Sequence, residues 1–110
     1  MKQYVIDELR PGDHETLKTY LNDHFGPAAL DVIYWVPLDP DILTDVQIDH
    51  AACRPYYFAI DLDQTRLSCE LLVRTKRRVR CSCIDYATEA QRNWLIDLID
   101  TIFYQLEIKI

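Results

Sequence analysis

The sequence predicts an α+β domain: an antiparallel sheet packed by two helices. Three observations carry that prediction. Residues Tyr56 to Val73 alternate apolar and polar across two β-rich runs. Residues Tyr86 to Leu106 carry apolar side chains at helical spacing behind a capping box. A shorter helical pattern follows "PGD" near the N-terminus.

Taken in order, "KQYVIDEL", Lys2 to Leu9, reads as a first strand. Asp13 is placed to cap a helix over 13–25, with Leu17, Tyr20, Leu21 and His24 or Phe25 on one face. Gly26 and Pro27 end it. "LDVIYWVPL", Leu30 to Leu38, is apolar on both faces. It reads as an interior strand covered on both sides, or as a strand with Trp35 in an interface. Asp39 and Pro40 start a short helix with Val46, His50 and Cys53 along one side.

A three-stranded meander is expected over about 56–84. Pairing Leu62 with Leu67 sets Ile60 opposite Cys69 and Phe58 opposite Leu71. A three-residue loop, Thr75 to Arg77, sets Val73 opposite Val79, Leu71 opposite Cys81 and Cys69 opposite Cys83. Thr88 with Gln91 caps a long C-terminal helix over 88–106, with Leu95, Leu98, Ile99, Ile102 and Leu106 as its core stripe. The tail "LEIKI" alternates like a short last strand.

The chain has 110 residues, which fits one α+β domain over 1–110 and a core that needs no staple. The N-terminal stretch has no apolar run of signal-peptide type, and no run suits a membrane span. The expected address is the cytoplasm, where Cys53, Cys69, Cys81 and Cys83 stay reduced.

Net charge is −6 and unevenly spread. Six aspartates and no Lys or Arg lie between Thr19 and Cys53. "RTKRRVR" then supplies Arg74, Lys76, Arg77, Arg78 and Arg80, five of the chain's twelve basic residues. The acidic total argues against broad nucleic-acid binding. The basic tip suits a carboxylate, a phosphate or a charge-complementary partner, or simply solvation of a hairpin end.

"HAAC" and "VRCSC" raise a metal question. His50, Cys53, Cys81 and Cys83 are zinc-type ligands in two short pairs. Against this, cysteine is a small hydrophobe, and the expected register turns Cys69, Cys81 and Cys83 to the core. A Cys-x-Cys pair on a regular strand must also bend to converge on one ion. Core cysteines and no cofactor are therefore the first reading, with a structural zinc site the alternative. No nucleophile and base stand out above chance in the sequence, Asp49, His50 and Cys53 lying together on one short segment, and two glycines cannot build a phosphate loop. The rings Trp35, Trp94, Phe103 and Tyr104 exceed what one small core needs and suggest a homodimer or protein partner. The functional expectation is a small, soluble, acidic, non-catalytic interaction module. It would self-associate and bind a protein partner or small anionic ligand.

Overall fold

The structure, a computed structural model, describes residues 1–30 and 32–109. Its elements run β1 (Gln3–Ile6), α1 (Pro11–Phe25), β2 (Ile33–Pro37), α2 (Asp45–Asp49), β3 (Tyr56–Leu62), β4 (Leu67–Glu70), β5 (Leu72–Thr75), β6 (Asp85–Tyr86) and α3 (Glu89–Gln105). Short 3-10 turns lie at Pro40–Ile42 and Ala51–Cys53. The class is the α+β arrangement expected, with the N-terminal and C-terminal helices both present.

All six strands form one antiparallel sheet. β3 lies between β2 and the β4–β5 run, and β1 and β6 share the far side of that run. The first hairpin has the expected register, Leu62 opposite Leu67 and Ile60 opposite Cys69. Beyond it the ladder slips. Tyr57 faces Arg74 and Tyr56 faces Thr75, so the β4–β5 strand carries two extra residues around Leu71. Phe58 and Leu71 are therefore not partners. A two-residue offset preserves the side-chain period of two, so Leu67, Cys69, Val73 and Thr75 all remain on the buried face.

Both long helices cover that face. A row of paired positions, Tyr4, Cys69, Ile60 and Tyr34, crosses the sheet. At one end Tyr4 donates to Asp100 of α3, and at the other Tyr34 donates to Asn22 of α1. Between them Phe58 stacks on Trp94. Leu17, Leu21, Phe58, Ile60, Leu95 and Ile99 are buried there, each worth about 1.5–3 kcal/mol in apolar transfer.

Several expectations are corrected. α1 begins two residues earlier, at Pro11, because proline suits a first helical position. Asp13 sits inside the first turn and accepts from the Arg10 backbone N–H and guanidinium, which hold its carboxyl below the usual range. β2 is an edge strand, not an interior one, since β3 is the one strand it pairs with among the described residues. Tyr34 and Val36 face the core and Trp35 faces the open side, half-buried. Pro37 and an Ala29–Ile33 bridge shorten its free edge.

No strand forms over 106–109. Glu107 takes a positive φ of 57°, and the Ile108 N–H returns to the Phe103 carbonyl at 2.9 Å. This Schellman closure buries Ile108 and ends α3. Asp31 and the final Ile110 of the expected strands lie outside the described residues. No helix among the described residues is long and apolar enough to cross a membrane.

Candidate metal centre

The ligand atoms of His50, Cys53, Cys81 and Cys83 all lie within 4.8 Å of one another. Two segments build this cluster, and neither has the conformation expected from sequence. The first is not one helix. Asp39 caps the Pro40–Ile42 turn, Thr44 caps α2, and α2 ends at His50. His50 then opens the Ala51–Cys53 turn, whose Cys53 N–H bonds the His50 carbonyl at 2.9 Å. That bond folds the chain back within one turn, and the His50 and Cys53 ligand atoms come within 4.8 Å.

The second segment is not a strand. At the end of β5 the Thr75 hydroxyl accepts from the Arg77 N–H and donates to the Cys53 carbonyl. This turns the chain off the sheet, and 76–84 runs as a loop before β6 pairs Tyr86 with Leu72. Val73 thus faces Asp85, not Val79. Leu71 and Cys69 are not the partners of Cys81 and Cys83. The Ile84 N–H closes a turn onto the Cys81 carbonyl at 3.0 Å. Within that turn two cysteines two apart converge, which a flat strand would forbid.

Cys69 stays apart from the cluster, fully buried between Ile60 and Tyr4. Burial, with the nearby Asp100 charge, pushes its thiol up to about 12, as befits a core thiol.

Cys53 and Cys83 are 3% and 1% exposed, while His50 and Cys81 are half-buried. His50 Nδ1 lies 3.0 Å from Cys81 Sγ. Cys81 is the acidic thiol of the set, drawn down to about 6. The backbone N–H and then the thiol of Cys83 bond its sulfur, and His50 adds to this. Burial pushes Cys83 the other way, to about 11.

An outer ring of buried side chains fixes the ligand backbones. Gln47 Nε2 donates to the Cys83 carbonyl at 3.4 Å. Gln91 Nε2 donates to Gln47 Oε1 and to the Ile42 carbonyl, each at 2.9 Å. The Tyr56 hydroxyl, kept protonated chiefly by burial, donates to the Gln47 and His50 carbonyls at 3.1 and 3.4 Å. Gln47 and Gln91 are also the third residues of two capping boxes, with Thr44 and Thr88. The sequence signal for Gln47 was thus present in "TDVQ", but a capping box announces a helix start and says nothing of a buried relay to a cysteine loop.

Of the basic residues, Arg74 pairs with Glu70. Lys76 Nζ lies 4.5 Å from the Tyr57 ring centroid and 5.6 Å from that of Trp35. Arg77, Arg78 and Arg80 are exposed and make no ion pair among the described residues. The four surplus rings are not brought together. Phe103 is 2% exposed within the chain's own core, Trp94 stacks on Phe58, Trp35 packs edge-on against Tyr57, and Tyr104 is 85% exposed on α3.

The donor set is three sulfurs and one imidazole, which suits a tetrahedral soft or borderline ion. Zinc–ligand bonds of about 2.0–2.3 Å give tetrahedral edges of about 3.5–3.8 Å. The separations, none above 4.8 Å, exceed such an edge by no more than about 1.3 Å, within reach of small side-chain rotations. Searches against protein-family models, curated proteins and solved structures find no match to this chain.

Proposed function

We propose that the chain is a structural zinc-binding domain in which His50, Cys53, Cys81 and Cys83 hold one ion. The observation that carries this reading is the convergence of all four donors from two segments thirty residues apart. Four protein ligands leave no open position, so the ion would staple and not catalyse. It would fasten the 76–84 loop to the end of α2, and the Gln47–Gln91 relay would hold the ligand backbones in register. A reducing compartment such as the cytoplasm keeps the thiols available as ligands.

Native mass spectrometry of reduced protein, purified without chelator, tests this. The expected mass is the chain plus one zinc, lost in the Cys81→Ser/Cys83→Ser variant. A bare mass that zinc addition does not change would return the cysteines to the role of core residues.

A second reading, the interaction module, is favoured by the unpaired cations at 76–80. Its self-association would rest on Trp35 and Tyr104, since Phe103 and Trp94 are engaged within the chain. Sedimentation equilibrium at micromolar concentration checks that point, and a purely monomeric mass removes it.

A further inference from the structure

Acids outnumber bases eighteen to twelve in this chain. Yet Lys76, Arg77, Arg78 and Arg80 find no acidic partner among the described residues. The loop that holds them does not project freely. At its start Lys76 lies over Trp35 and Tyr57, which stand edge to face at 6.0 Å on the sheet face turned away from the core. Two concave surfaces meet at Lys76 and Arg77. One runs from Trp35 and Ile84 to Arg78 and Val79, and the other is floored by Pro55 and Tyr57. Val79, between two arginines, is 88% exposed. Rings, an exposed aliphatic group and free guanidinium forks therefore share one groove, although Trp35 and Tyr57 are remote from the basic run in sequence.

We propose that this groove docks a short acidic peptide segment of a partner protein. Its carboxylates would take the forks of Arg77 and Arg78, and an apolar side chain would lie on Trp35 and Tyr57 beside Val79. Charge complementarity selects the occupant. The cations are confined to one loop, and the chain behind it is acidic: α2 carries Asp45 and Asp49, and its Gln47 bonds the same loop at Cys83. A short acidic segment meets only the cations. A polynucleotide continues past them toward like charge, and the net charge of −6 opposes its approach. Lys76 lies over one face of each ring by cation–π contact, which reduces the ring surface open to base stacking. The inference stands on the cations and rings and does not require the metal.

Fluorescence anisotropy of the full chain with a labelled peptide of alternating glutamate and tryptophan tests it. Binding should weaken with added salt. Arg77→Ser/Arg78→Ser should lower affinity by about tenfold or more, two charge-assisted hydrogen-bond sites being lost. Trp35→Ala should lower it independently. Zinc content and thermal melting, measured on the same preparations, separate loss of contacts from loss of the loop. Absence of saturable binding overturns the proposal, as does full affinity in the double variant. Tighter binding of a labelled oligothymidylate than of the peptide overturns it too, by assigning the patch to nucleic acid.

Discussion

Replacing Cys83 by Val separates a ligand from a core thiol. Cys83 is 1% exposed, and its backbone carbonyl, which accepts from Gln47, survives the change. As a core substitution Cys→Val nearly conserves volume and costs less than about 1.5 kcal/mol. For a domain of this size that is a drop of at most about 10 °C in Tm. As a ligand, Cys83 matters through linkage. Zinc at a thousand times its Kd adds about 4.1 kcal/mol to the native state, which raises Tm by about 15–30 °C. If loss of one thiolate weakens binding a thousandfold, the gain at the same zinc concentration falls to about 0.4 kcal/mol. The assay is thermal melting of wild type and Cys83→Val, reduced and chelator-treated, with and without added zinc. The expected result is a large zinc-dependent shift in wild type only, with the two metal-free proteins melting close together. A wild type indifferent to zinc, or a variant that keeps the full shift, refutes the reasoning.

Three further outcomes follow from the packing. Gln91→Leu strips the Ile42 carbonyl and Gln47 Oε1 of a buried donor. It should cost about 2–4 kcal/mol in urea denaturation, and a loss within error would show that the relay is idle. Alkaline destabilisation is expected from Cys69, whose folded value is raised to about 12. The unfolded thiol ionises near its ordinary value while the folded one stays protonated. Stability is therefore fully present below about pH 8.5–9 and is lost as pH rises toward 12. Cys69→Ala should make the fall of the urea midpoint between pH 8 and pH 10.5 shallower, the rest of the slope coming from the raised Cys83 thiol, and an unchanged slope counts against burial as its cause. Tyr4→Phe removes the 2.6 Å bond to Asp100 and should lower stability by about 0.5–1.5 kcal/mol. A variant as stable as wild type would mean that water replaces the contact.

The parts legible in the sequence are those that a local rule decides. Thr88 and Gln91 mark the start of α3 because the capping box lies within four residues. Alternation over 56–62 gives β3 its span and its buried face, and the first hairpin's register follows from which residues must be inside. The α2 region was half legible: Asp39 does cap a turn, but the helix is interrupted at Leu43 and restarts from Thr44. The same logic failed after Val73, where matching apolar rows favoured a third strand over 79–84.

The alternation of Val79, Cys81 and Cys83 was real, but its partners were not those of a sheet. Val79 is left in water with the arginines, and Cys81 and Cys83 turn toward His50 and Cys53. That choice depends on contacts between residues 22 to 36 apart: Thr75 with Cys53, Cys81 with His50, and Gln47 with Cys83. No periodicity records such contacts, because each is a single hydrogen bond between two non-repeating segments. The sequence by itself determined the fold class, both long helices and the identities of the four donor residues. Only the tertiary structure decided that the donors meet, because their meeting needs two irregular turns, and turns are set by the contacts they make and not by the pattern they carry.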